Sequence, residues 1–104
     1  MVARRPVPHP STMNRTRVHL VVSGRVQGVC FRAETSAVAS QLNLTGFVRN
    51  LPAGDVEILA EGDRAAVRRL VEWARRGPSM AHVTNVNTAY EEPRDDFDSF
   101  GVRY

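Results

Sequence analysis

The chain has 104 residues, 42% hydrophobic and 24% charged, with one cysteine and a formal net charge of +3. This bounds it to one domain with a modest core, of ordinary globular composition. No apolar run approaches the roughly 18 residues needed to cross a bilayer. Arg4 and Arg5 are followed by no apolar stretch of the kind a secretory signal requires, and the lone Cys30 excludes an internal disulfide. A reducing cytoplasm is the expected compartment, and a membrane is not an expected partner.

The charge is unevenly spread. Arg4, Arg5 and Arg15 are three of the 14 basic residues, and the first fifteen positions hold no Asp or Glu. The rest of the chain therefore carries eleven basic residues against eleven acidic ones. A neutral body argues against nucleic acid as a partner, because that needs basic charge clustered on a folded face. All the basic residues are arginine, which reads as genome-level composition rather than function.

Residues 1–15, with Pro6, Pro8, Pro10 and no apolar periodicity, are expected to form a disordered arm; Met13 offers an alternative start. Residues 16–104 form the expected domain. Val18, Leu20 and Val22 alternate within a strand over 17–23. Residues 32–43 place Thr35, Val38, Ala39 and Leu42 at helical spacing, with Asn43 as a left-handed C-cap. Residues 45–51 read as a second strand. Pro52 and Gly54 make a turn, and Val56, Ile58 and Ala60 alternate in a third strand. Asp63 is placed to N-cap a second helix whose buried stripe is Val67, Leu70, Val71 and Ala74, ending at Gly77-Pro78. Residues 81–90 form a fourth strand whose apolar spacing slips, predicting a β-bulge near Asn85. Residues 91–99 read as a polar, solvated connection to a short last strand at Phe100, Val102 and Tyr104. Trp73, Phe47, Phe97 and Phe100 are assigned to the core or its margin. The order βαββαβ implies an α+β sandwich of ferredoxin-like type, an antiparallel sheet with two helices on one face.

The most informative stretch lies between the first strand and the first helix: Gly24-Arg25-Val26-Gln27-Gly28-Val29-Cys30-Phe31-Arg32. A loop opening a helix presents free backbone N–H groups, which together with the helix dipole attract anions. Gly24 and Gly28 allow sharp turns and close approach to a ligand. Arg32 adds a planar five-donor fork suited to phosphate or carboxylate. A cation at a helix N-terminus is mildly unfavourable alone and makes better sense with an anion beside it. Physics alone gives an oxyanion-binding loop.

This stretch, Val22-x-Gly24-x-Val26-Gln27-Gly28-Val29-x-Phe31-Arg32, resembles the first signature of the acylphosphatase family. A second signature follows: Gly46-Phe47-Val48-Arg49-Asn50-x-x-x-Gly54-x-Val56-x-x-x-x-x-Gly62. The resemblance runs from about Thr16 to Tyr104, with Phe47 where the family often has Trp. It implies a ferredoxin-like hydrolase that splits acyl phosphates, without metal or cofactor, to a carboxylate and inorganic phosphate, the latter product and inhibitor. It assigns the phosphoryl oxygens to Arg32 and the backbone amides of Arg25, Val26, Gln27, Gly28, Val29 and Cys30, and the attacking water to Asn50. A monomer is expected.

Other readings compete with these. Asn50 alone could be a plain turn residue. Arg25 and Arg49 read as solvated charges. A nucleophilic Cys30 is conceivable, since a helix start lowers a thiol pKa, but spacing implies no histidine beside it. His19 and His82 read as packing or surface residues, and Glu91, Glu92, Asp95, Asp96 and Asp98 lack the Gly and terminal Glu of a calcium loop. The functional alternative is a non-catalytic anion-binding or interaction module on the same fold.

Overall fold

The computed structural model describes residues 14–104. The arm over residues 1–13 lies outside the described residues. In chain order the elements are β1 (Arg15–Arg25), α1 (Phe31–Gln41), β2 (Thr45–Asn50), β3 (Val56–Asp63), α2 (Arg64–Arg76), β4 (His82–Glu91) and β5 (Phe100–Arg103). Arg15, assigned to the arm from sequence, instead opens β1. The strands form one sheet in the order β4-β1-β3-β2-β5. The first four pair antiparallel, the expected ferredoxin-like pattern. β5 extends the sheet beyond β2 and pairs with it in parallel, so the whole sheet is mixed. The connection after β4 starts the last strand at the end of the sheet where β4 stops. β5 must therefore run opposite to β4, and beside β2 that direction is parallel.

Alternation in the strands decides which face is covered. Val18, Leu20 and Val22 of β1, Val56, Ile58 and Ala60 of β3 and Val48 of β2 are fully buried under the helices. Against them pack Phe31, Thr35 and Ala39 of α1 and Val67, Leu70, Val71 and Ala74 of α2. Full burial of each such Val or Leu contributes roughly 1.5–3 kcal/mol before entropy is counted. The Phe31 and Trp73 rings meet at 5.4 Å and join the two helices. Asn43 takes φ 59° just past α1. There Leu44 N–H donates to Ala39 O at 2.9 Å and Asn43 N–H to Ser40 O at 3.0 Å, the paired bonds of a Schellman stop.

Asp63 stands at the N-cap of α2, but its side chain makes no capping bond. The Arg64 N–H, the first of the helix, donates to Asn14 O at 2.6 Å, whereas a capping carboxylate would accept from the second or third amide. The expected bulge is present: Ser23 faces Asn85 while Gly24 faces Val83, leaving Thr84 as the extra residue. At Gly24 a Cβ would lie 2.1 Å from His82 O. Gly24 is thus required by strand pairing at the bulge, rather than by ligand approach.

The connection after β4 is not simply solvated. Glu61 on β3, 2% exposed, accepts the backbone N–H groups of Arg94 and Asp95 at 3.0 and 2.8 Å. It also pairs with Arg15 at 3.2 Å and with buried Arg17 at 3.3 Å. Asp95 and Asp96 return to the same two arginines. Burial alone raises the Glu61 carboxyl, but these N–H donors and the Arg17 charge outweigh it and hold the pKa below the ordinary value. The connection is thereby strapped across the uncovered face of the sheet, where Phe97 meets Phe47 edge-on at 5.9 Å.

Candidate active site

Between β1 and α1 the chain folds over its own helix start. Val26 is 1% exposed and anchors the loop in the core. Gly28 has φ 74° and Cys30, at the N-cap of α1, has φ 63°; these two left-handed positions curl the segment around the helix terminus. The first helical bond runs from Glu34 N–H to Cys30 O at 3.0 Å. The amides before it have no acceptor within the helix, which leaves them free for an anion.

A pocket of about 180 Å³ opens here, lined by Val26, Gly28, Cys30, Phe31, Arg32, Ala33, Asn50, Val102 and Tyr104. Period-two alternation explains Asn50: it is two residues after Val48 and lies on the helix-covered face. Its Oδ1 is buried without a hydrogen-bond partner. Of the three such side-chain atoms among the described residues, the others being Arg17 Nε and Thr88 Oγ1, this is the one that lines the pocket. Arg32 sits in the first turn of α1. Its Nη1 donates to Arg103 O at 3.3 Å, and its guanidinium carbon is 4.7 Å from the centroid of the Tyr104 ring. One donor is engaged weakly; the rest of the fork is available for an anion.

The pocket brings together Val26, Gly28, Cys30, Arg32 and Asn50 from the sequence-derived candidates, and leaves out Arg25, Gln27 and Val29. Arg25 ends β1 opposite His82 and is exposed. Val29 packs against the core. Gln27 Nε2 donates to Leu51 O at 2.8 Å and Asp55 O at 2.9 Å, across the turn between β2 and β3. Val102 and Tyr104 were missed as site residues. Their alternation put them on one face of β5, but nothing local said that β5 would lie beside β2 and end at Asn50.

Arg49 lies on the opposite face of the sheet from Asn50. It pairs with Glu57, which also meets His19 Nε2 at 2.7 Å, so Arg49 is engaged in a surface cluster rather than freely solvated. Burial raises the Glu57 carboxyl, while the His19 and Arg49 hydrogen bonds and charges outweigh it and hold the pKa low. Cys30 is an exposed free thiol. Neither described histidine is bonded to it: His19 is held by Glu57, and His82 is exposed on β4.

Comparison with known proteins points one way. A model of the acylphosphatase family matches residues 18–102. An acylphosphatase of Methylococcus capsulatus is 50% identical over 83% of this chain and 94% of its own length. One from Pelotomaculum thermopropionicum is 45% identical over 88% of this chain and 100% of its own. The structure of an acylphosphatase from Coxiella burnetii superposes with a TM-score of 0.84 at 43% identity, covering 91% of this chain and 99% of that one. The chain belongs to the acylphosphatase family and is a hydrolase enzyme of that class.

Proposed function

We propose that this enzyme hydrolyses the carboxyl–phosphate bond of acyl phosphates by clamping the phosphoryl group and aiming a water at it. Arg32 and the backbone amides of residues 25–30 grip the phosphoryl oxygens and stabilise their charge in the transition state. The Asn50 side chain orients the water: Oδ1 accepts a hydrogen bond from one water O–H, directing an oxygen lone pair at phosphorus. The water oxygen bonds to phosphorus and the bond to the acyl oxygen breaks. The electron pair leaves with the carboxylate, and the water proton passes to a phosphoryl oxygen. A carboxylate is a good leaving group, so the reaction asks for no general acid, and positioning supplies the rate.

The observation that carries this reading is the buried, unpartnered Asn50 Oδ1 on the wall of the pocket that Arg32 enters. A buried acceptor without a partner costs about 1–3 kcal/mol, a cost repaid when water binds there. No group of three or more His, Cys, Asp or Glu among the described residues is arranged to hold a metal, so charge stabilisation is assigned to Arg32 and the amides.

The test is turnover of acetyl phosphate or benzoyl phosphate by the purified chain in EDTA. Full activity is expected, with inhibition by inorganic phosphate. Activity lost in EDTA and restored by Mg²⁺ would contradict the mechanism. Phosphate binding without turnover would favour a non-catalytic anion-binding module instead.

A further inference from the structure

We propose that the side chain of Gln27 is a positioning residue that sets the register between the two walls of the site. The inference rests on the functional reading above and extends it to a group that does not line the pocket. Gln27 lies between Val26 and Gly28, both on the pocket wall, but its side chain turns away from the pocket. A glutamine amide carries two N–H donors. Nε2 reaches two acceptors, Leu51 O at 2.8 Å and Asp55 O at 2.9 Å, so both donors have a partner.

Those carbonyls are the two ends of the turn that follows Asn50. Leu51 N–H donates to Asp55 O at 2.8 Å, and Gly54 N–H to Leu51 O at 3.1 Å. Each carbonyl therefore accepts one bond from the turn and one from Gln27. Leu51 is bonded through its peptide to Asn50, and Asn50 pairs in register with Val56, the residue after Asp55. Gln27 thus grips the backbone on both sides of the Asn50–Val56 pair. The wall that binds phosphate and the wall that holds water come from different elements, and this amide is a direct link between them.

The chemistry is specific to an amide. Methionine has similar length but no donor. Glutamate has the same shape, yet its carboxylate would set lone pairs against two carbonyl lone pairs. In neither case are the two carbonyls orphaned, because each keeps its bond within the turn, so the fold should survive while the register loosens.

The experiment is a cycle of Gln27→Met and Asn50→Ala, singly and together, read by kcat and by inhibition with inorganic phosphate. Gln27→Met should lower kcat by roughly 10- to 100-fold, the scale of a small misplacement of reacting groups, with the phosphate inhibition constant moving less than about threefold. In the Asn50→Ala background the same change should cost kcat less than about threefold, because the water it positions is already lost. Equal losses in both backgrounds, or a kcat for Gln27→Met within about twofold of wild type, would overturn the inference. Gln27→Glu covers the case in which Gln27→Met does not fold: its kcat relative to wild type should rise as acid protonates the carboxyl and restores one donor, and a flat ratio would count against the proposal. Absence of turnover in the wild-type chain would instead remove the functional reading itself.

Discussion

The Arg32 guanidinium carbon lies 4.7 Å from the centroid of the Tyr104 ring, and the carbonyl of the preceding residue, Arg103, accepts the Arg32 Nη1 bond at 3.3 Å. The last residue of the chain thus touches the side chain assigned to phosphate. The Tyr104 ring is fully exposed, so water screens the contact and keeps it weak. Removing Tyr104 should raise KM and the phosphate inhibition constant together by about two- to fivefold, leaving kcat nearly unchanged. A large loss of kcat in steady-state assays would show that Tyr104 acts on the chemistry rather than on the pose of Arg32.

The Glu61 cluster predicts a stability effect far from the pocket. Its carboxyl is held below the ordinary value, so the folded state binds fewer protons there than the unfolded state. The stabilisation is present above the ordinary glutamate value of 4.5 and is lost as pH falls through the folded value below it. Glu61→Gln removes the carboxylate that Arg15 and Arg17 share, but Asp96 and Glu91 still face Arg17, so the fold should lose about 1–3 kcal/mol at neutral pH. Denaturant melts of wild type and variant from pH 7 downward should converge as acid is added. A gap that stays constant with pH would assign the loss to packing.

Cys30 holds a left-handed conformation on the pocket wall with an exposed thiol. Its role here is its backbone. Cys30→Ala should retain most of the activity, and Cys30→Gly, which takes φ 63° without strain, should do so as well. A thousandfold fall in kcat for both, or a trapped phosphocysteine in mass spectrometry, would replace water attack by covalent catalysis.

What the sequence disclosed follows the range of the interaction. Val18, Leu20 and Val22 announce a covered strand because alternation is local, and Asn43 announces a helix stop because only a few residue types accept its φ. The slip between Val83 and Val86 located the bulge for the same reason. Arg32 and Asn50 were legible as a pair because two signatures stand at fixed spacing, although neither residue points to the other. Glu61 and Arg17 were not, being 44 positions apart and meeting only once β1 pairs with β3. The acids of the connection after β4 read as solvated because their arginine partners lie about 80 residues upstream. Asp63 was placed correctly at the N-cap of α2, but residue type could not show that its side chain would make no capping bond. Tyr104 fell outside the site because the edge at which β5 pairs is a property of the whole sheet.

The division of labour between Arg32 and Asn50 is the central claim, and kcat measured beside the phosphate inhibition constant tests it most directly. Arg32→Lys keeps the charge but loses the planar fork, so turnover and phosphate inhibition should both weaken severely. Asn50→Ala leaves the anion cradle in place; its kcat should fall by roughly 10²–10³ while the inhibition constant changes only slightly. Loss of phosphate inhibition in Asn50→Ala, with kcat largely preserved, would contradict the account.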